Sequence, residues 1–109
     1  MYEQTFKQIE KDISDNKVML YMKGTKDFPQ CGFSAQVVNI LNHVGAEYET
    51  RNVLEDESLR QGIKQFSNWP TIPQLYVDRK LIGGCDIVTE LFQEDTAEFQ
   101  EMLGIKVAQ

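Results

Sequence analysis

Two cysteines, Cys31 and Cys85, are the residues of this 109-residue chain best suited to nucleophilic or metal-binding chemistry. Two thiols in a reducing compartment are more often catalytic or metal-binding than a structural disulfide. A closed zinc site needs four Cys or His ligands, and the chain offers these two cysteines and one histidine, His43. We therefore expect thiol chemistry rather than a zinc centre, with His43 a solvated surface residue.

Cys31 follows a polar loop, residues 24–30, and directly precedes an amphipathic segment that begins at Phe33. A cysteine at the start of a helix lies near unpaired backbone N–H groups, which stabilise its thiolate and lower its pKa. Lys23 stands before the same loop and adds a positive charge. The alternative is a buried, inert cysteine, but the polar loop argues for an accessible and reactive thiol.

Ser34 occupies the position, three residues after Cys31, at which a two-cysteine oxidoreductase carries its second thiol. A serine hydroxyl is barely ionised near neutral pH, so it cannot resolve a mixed disulfide. Thiol chemistry at Cys31 must therefore use a second thiol from outside the chain, and glutathione is the abundant one in the cytosol.

The elements that must position Cys31 follow from the spacing of apolar residues, which predicts one α/β domain over residues 1–109. The uninterrupted apolar run at residues 18–22 is typical of a central strand covered on both faces. Further strands are predicted at 48–53, 74–77 and 81–83, and helices around 6–13, 33–44, 59–66, 87–92 and 96–103. A strand–helix–strand unit followed by a hairpin gives a four-stranded mixed sheet with helices on both faces.

The hairpin between the last two strands turns at Asp78-Arg79-Lys80. A two-residue primed turn needs positive φ angles, which Arg79 disfavours. We therefore expect a turn that is longer than two residues or strained.

The composition excludes several functions. The net charge of -6 argues against a nucleic-acid surface, because phosphate binding requires an excess of Lys and Arg. No apolar run approaches the length that crosses a bilayer, and the first residues lack the apolar core of a signal peptide. We expect a cytoplasmic protein that contacts neither nucleic acid nor membrane.

Four blocks of this sequence, in their order and spacing, resemble the monothiol glutaredoxins with a CGFS motif, in their short single-domain bacterial form. The blocks are Lys23-Gly24, Cys31-Gly32-Phe33-Ser34, Trp69-Pro70-Thr71-Ile72-Pro73 and Gly83-Gly84-Cys85-Asp86. The resemblance covers essentially the whole chain. It implies a thioredoxin-like fold and a groove for glutathione beside Cys31.

The resemblance also implies which residues bind glutathione: Lys23, Arg60, Ile72, Pro73, Cys85 and Asp86. Lys23 and Arg60 would pair with the glycine carboxylate of glutathione. Ile72, which precedes a proline that the family holds in cis, would offer its backbone N–H and C=O to the cysteinyl part. The last two residues would bind the γ-glutamyl end. This agrees with the charges of glutathione, which has two carboxylates and one ammonium.

Several of these residues have simpler roles available. Arg60 could be a solvated helix charge, Asp86 an N-cap, and Cys85 an auxiliary thiol able to pair with Cys31. Trp69 is expected to form wall or core packing, and Phe33 to pack near the site.

The family resemblance extends to a [2Fe–2S] cluster, and a ligand count is consistent with it. Such a cluster needs four ligands, usually thiolates, and one chain offers a single well-exposed cysteine. Two copies of Cys31 and the two glutathiones they hold complete the set, which predicts a glutathione-bridged homodimer with a labile cluster. Gly32, where two-cysteine glutaredoxins usually have proline, would leave room beside Cys31.

Three functional hypotheses follow. The first is a carrier that passes its cluster to iron–sulfur recipient proteins and takes part in iron homeostasis. The second is a glutathione-dependent thiol-disulfide oxidoreductase that removes glutathione from mixed disulfides through Cys31. The third is an adaptor with neither chemistry. The resemblance also implies heterodimers with BolA-like proteins.

Overall fold

The computed structural model describes residues 1–106, which form a four-stranded sheet with helices on both faces. The sheet order is β2-β1-β3-β4, with β1 parallel to β2 and antiparallel to β3. The elements in chain order are α1 (Glu3–Asp15), β1 (Val18–Met22), α2 (Gly32–Val44), β2 (Glu49–Asn52), α3 (Glu57–Ser67), β3 (Gln74–Val77), β4 (Lys80–Gly83), α4 (Cys85–Glu94) and α5 (Thr96–Met102). The predicted thioredoxin-like architecture is confirmed.

The central strand β1 is buried along its whole length because helices cover both sides of the sheet. Val18, Leu20 and Met22 join a core formed with α2, α4 and α5. Met19 and Tyr21 point to the opposite face and join a second core with α1 and α3. This alternation follows from the two-residue period of a strand, and it places the carboxyl end of β1 next to the start of α2.

Predicted and observed boundaries agree within three residues, but the start of α2 differs in packing. The sequence predicts an apolar stripe that begins at Phe33, whereas that side chain is 63% exposed and the buried apolar stripe begins further along, at Val37. Ser34 in the same first turn is fully buried, so Phe33 lies on the solvent side of the helix start, where it lines the cleft.

The hairpin between β3 and β4 has a two-residue turn in which both residues have positive φ, 50° at Asp78 and 69° at Arg79. Such angles are rare for residues with a side chain. Of the two predicted outcomes, a longer turn or a strained one, the second is found.

A buried carboxylate links α1 to the edge of the sheet. Asp12 accepts hydrogen bonds from Arg51 at 2.9 and 2.7 Å, from the Tyr21 hydroxyl at 3.0 Å and from Gln8 at 2.8 Å. Burial and the negative charge of Asp12 raise the pKa of Tyr21, so its hydroxyl remains a donor. The network ties α1 to both β1 and β2.

Among residues 1–106, no helix combines the length and the apolar character that crossing a membrane requires.

Candidate functional site

Cys31 is the N-cap residue of α2, in extended conformation with φ -150° and ψ 137°. The pKa of Cys31 is lowered mainly by the backbone N–H of Ser34, and partial burial opposes this shift. The shift is reinforced by the N–H of Phe33, the charge of Lys23 and the Ser34 hydroxyl. The sulfur accepts no cap hydrogen bond of standard geometry, so we attribute the effect to the field of these groups. The thiol is only partly buried, and the alternative of an inert core cysteine is wrong.

Ser34 is fully buried one turn below the thiol, and its hydroxyl accepts a hydrogen bond from the Lys23 N–H at 3.1 Å. This contact fixes the end of β1 against the first turn of α2. Ser34 therefore links β1 to α2, and it leaves Cys31 without a second thiol at this position.

The loop between β1 and Cys31 is closed at its base. Gln30 N–H donates to the Lys23 carbonyl at 2.9 Å, and Gly24 pairs with Pro29 in an isolated antiparallel bridge. Gly24 has φ +92°, and a Cβ placed there would lie 2.5 Å from the Phe28 carbonyl oxygen, so only glycine fits.

Asn52, at the end of β2, anchors this loop from the side. Its Oδ1 atom accepts hydrogen bonds from the N–H groups of Gly24 and Leu54, both at 2.9 Å. The residue was not singled out from the sequence, because a polar residue at the end of a strand gives no local sign of a partner 28 positions away.

A cleft of about 480 Å³ opens beside Cys31. It brings together most of the residues proposed from the sequence: Lys23, Cys31, Ile72, Pro73, Cys85 and Asp86. Arg60 is not among the lining residues, whereas Lys64, one helical turn later on α3, is. The assignment of Arg60 stays a prediction, and Lys64 is a cation of the cleft that the sequence reasoning missed.

One wall of the cleft is the segment between α3 and β3. The Ile72–Pro73 peptide bond is cis, as expected. Ile72 buries its side chain in the core on the α1 and α3 face, while its backbone N–H and C=O have no hydrogen-bond partner within residues 1–106. These two groups remain available at the cleft, as the family resemblance implied.

The facing wall is the N-terminus of α4. Gly84 is the N-cap residue and Cys85 and Asp86 lie in the first turn, so the alternative of Asp86 as an N-cap is wrong. Cys85 is partly buried, with its Sγ atom 4.0 Å from Thr89 Oγ1. The first turn leaves backbone N–H groups unpaired, and these favour an anion at this end of the cleft.

Trp69 packs over this helix start and lines the cleft, as expected for a wall residue. Its indole N–H is buried and has no hydrogen-bond partner within residues 1–106. Buried donors are rarely left unpaired, which favours a ligand-binding use of the cleft.

The site therefore combines a stabilised thiolate with two lysines, an α-helix N-terminus and one carboxylate. Anionic groups fit at both ends, an ammonium fits beside Asp86, and an extended peptide backbone fits along Ile72. Such a site suits a small, charged peptide whose sulfur meets Cys31.

Comparison with known proteins agrees with this geometry. Residues 18–82 match the family model Glutaredoxin. A ycf64-like monothiol glutaredoxin from Synechocystis sp. is 53% identical over 108 residues, covering 99% of each chain. The solution structure of reduced apo GrxS14 from poplar is 51% identical and superposes with a TM-score of 0.76, covering 90% of this chain and 88% of the other.

A buckwheat glutaredoxin solved as a glutathione complex has 21% identity and a TM-score of 0.82, covering 94% of this chain and 90% of the other, a likeness of fold. The family model spans more than half of the present chain, and the Synechocystis relative matches it nearly end to end. Together with the Cys31-Gly32-Phe33-Ser34 sequence at the start of α2, these matches show that the chain belongs to the monothiol glutaredoxins.

Proposed function

We propose that this protein binds glutathione in the cleft beside Cys31 and carries a labile [2Fe–2S] cluster between two copies of the chain. The observation that carries the proposal is a stabilised, accessible thiol with a buried serine at the position where a second thiol would stand. With no second thiol on the first turn of α2, the reactions of Cys31 that we propose take their further sulfur from outside the chain.

The chemistry of the cleft supports glutathione as the source of that sulfur. Lys23 and Lys64 suit its glycine carboxylate, the free backbone groups of Ile72 suit its cysteinyl part, and the start of α4 with Asp86 suits its γ-glutamyl end. A volume of about 480 Å³ is in the range of small-ligand sites. The buckwheat glutaredoxin was solved as a complex with the same tripeptide.

The proposal of a shared cluster rests on ligand number. Within residues 1–106, no three His, Cys, Asp or Glu side chains converge as a metal site. A cluster held at Cys31 with four sulfur ligands therefore draws the remaining sulfurs from glutathione and from a second copy. A Cβ added to Gly32 would meet no atom within 4 Å, so the space beside the thiol is open.

In this proposal the chain's own residues do two things. The start of α2 and Lys23 keep Cys31 ionised, as a ligand must be. The cleft orients glutathione with its sulfur towards the same space. Because two of the four sulfurs belong to exchangeable molecules, the cluster is cargo that can be passed to a recipient protein.

A second candidate, glutathione-dependent thiol-disulfide exchange, is favoured by the lowered pKa of Cys31. The thiolate would attack the glutathione sulfur of a mixed disulfide, forming a Cys31–glutathione disulfide and releasing the other thiol as a thiolate. A second glutathione thiolate would then attack that disulfide, regenerating Cys31 and releasing oxidised glutathione.

The family resemblance also leads us to propose a BolA-like protein as a heterodimer partner, iron–sulfur apoproteins as recipients, a cytoplasmic location and a role in iron homeostasis. A BolA-like partner would replace one copy of the chain and supply ligands of its own.

Anaerobic reconstitution with iron, sulfide and glutathione tests the carrier proposal. We expect a coloured dimer whose visible absorbance is lost when glutathione is omitted or when Cys31→Ser is used. Cys85→Ser is the matched control, since it removes the other thiol and is expected to retain the cluster.

A colourless monomer that rapidly removes glutathione from a model mixed disulfide would instead establish the exchange activity. Loss of the cluster in Cys85→Ser would contradict the ligand set.

A further inference from the structure

Gln74, the first residue of β3, is a fully buried polar side chain that does not itself line the cleft. It lies on the sheet face covered by α1 and α3, because its neighbour Leu75 points to the other face. Burying an amide without hydrogen-bond partners costs free energy, so the partners of this one indicate its purpose.

The nitrogen of the amide bonds to the segment that precedes β3, and its oxygen bonds to a neighbour within the strand. Its Nε2 atom donates to the carbonyl oxygens of Trp69 and Thr71, at 3.1 and 3.2 Å. Its Oε1 atom accepts from the Tyr76 hydroxyl at 3.1 Å. Both donors of a buried side chain thus reach back into the segment 69–73, which we name the cis-proline loop.

The chemistry of these partners allows a single orientation of the amide. Backbone carbonyls only accept hydrogen bonds, so the nitrogen must face them. Burial raises the pKa of Tyr76 to about 12, so its hydroxyl stays protonated and donates to the oxygen. A flipped amide would turn its oxygen towards the two carbonyl oxygens and lose both of those hydrogen bonds.

The effect on the cleft comes through the loop. Trp69, Thr71 and Ile72 line the cleft, and Gln74 turns the first two carbonyls inward, away from the ligand side. The N–H of Trp69 is held separately by the Ser67 hydroxyl at 3.1 Å, which fixes the start of the loop. With both flanks held, the backbone groups of Ile72 stay free and fixed in place.

We infer that Gln74 is a positioning residue for glutathione: its buried amide holds the cis-proline loop so that the Ile72 backbone faces the cleft ready to pair with the ligand. The inference rests on the proposed binding of glutathione. Gln74 itself touches no ligand, and its contribution is the order of the loop before binding.

The test compares Gln74→Met with Gln100→Met in the full chain. Methionine keeps the length of glutamine and removes the amide. Gln100 is a matched control, because its amide also donates to a backbone carbonyl, that of Val44 at 3.1 Å, but on α5 and far from the cleft. Glutathione affinity is measured by NMR titration under reducing conditions, and the backbone order parameter of Ile72 is measured by ¹⁵N relaxation without glutathione.

We expect Gln74→Met to weaken glutathione binding about tenfold and to lower the backbone order parameter of Ile72 from about 0.85 to below about 0.6, beyond any change in β1. Gln100→Met should change neither, whatever its effect on thermal stability. Tyr76→Phe removes the donor that orients the amide and is expected to weaken binding two- to threefold. This variant decides the question if Gln74→Met does not fold.

Wild-type affinity and an unchanged Ile72 order parameter in the folded Gln74 variant, or in Tyr76→Phe if that is the variant available, would overturn the inference. So would an equal loss of affinity in Gln100→Met. If the wild-type protein does not bind glutathione, the proposed function fails. The order parameters of Ile72 in the ligand-free proteins still decide whether Gln74 holds the loop.

Discussion

Replacing Arg79 with glycine is expected to stabilise the protein, because Arg79 has φ 69° in the two-residue turn of the β3–β4 hairpin. The left-handed region costs a residue with a side chain about 1–2 kcal/mol, and glycine avoids that cost. The greater freedom of glycine in the unfolded chain offsets about 0.5–1 kcal/mol of the gain. The Arg79 side chain is exposed and forms no hydrogen bond or ion pair within residues 1–106, so its loss removes no such contact.

The net expectation for Arg79→Gly is a gain of about 0.5–1 kcal/mol, also because Asp-Gly is a preferred pair in primed hairpin turns. In a domain near this size, that gain corresponds to a rise in Tm of about 2–8 °C. Asp78 is left in place because its carboxylate binds Lys17 at 3.0 Å.

The assay is thermal unfolding followed by circular dichroism, with urea unfolding to obtain the free energy. Lys80→Gly is the matched control, since Lys80 is an exposed neighbour in β4 without a positive φ. It is expected to lose about 0.5–1 kcal/mol. A fall in Tm for Arg79→Gly similar to that of the control would refute the assignment of strain to this turn. Glutathione affinity should be the same in both variants, since the turn lies at the end of the sheet opposite to Cys31.

Three further outcomes are expected. Alkylation of Cys31, followed by mass spectrometry, should rise with pH around a midpoint below the ordinary thiol pKa of about 8.5. The contribution of the thiolate to folding stability should be fully present above that ordinary pKa and be lost as the pH falls through the lowered pKa. An alkylation midpoint at or above about 8.5 would contradict the geometry. Asp12→Ala should lower the free energy of unfolding in urea by about 2–3 kcal/mol, because it leaves the buried Tyr21 hydroxyl unpaired and Arg51 without its carboxylate. Glutathione affinity should stay unchanged. A loss below about 0.5 kcal/mol would show that the network is not stabilising. Lys64→Gln should weaken glutathione binding about threefold to tenfold at low salt and less at high salt, and Arg60→Gln should weaken it less. Both affinities are measured by the same NMR titration. A larger effect of Arg60→Gln would show that Arg60, and not Lys64, binds the glycine carboxylate of glutathione.

The reactive thiol was predictable because its signal is local. Cys31 precedes a clear amphipathic helix, and Ser34 can be identified by counting three residues. The uninterrupted apolar run at residues 18–22 is equally local, and the predicted burial of this strand is confirmed.

The features that sequence reasoning missed depend on distance or direction. Arg60 and Lys64 share one face of α3, and helical spacing cannot say which turn of that helix reaches the cleft. Phe33 fits the periodicity of a buried stripe, but periodicity does not reveal that this side chain faces the open cleft at the start of α2. Asp12 pairs with Arg51 across 39 positions, and no local pattern indicates such a partner.

The closed base of the loop before Cys31 has a practical consequence. Because the Gln30 to Lys23 hydrogen bond and the glycine bridge isolate the tip from the thiol, the exposed residue Asp27 can be altered without moving the active sulfur. A fluorophore or short epitope grafted there would report on events at the neighbouring cleft while leaving its geometry intact. The tip of this loop is thus an attachment point for a probe that tests the proposed cluster transfer in real time.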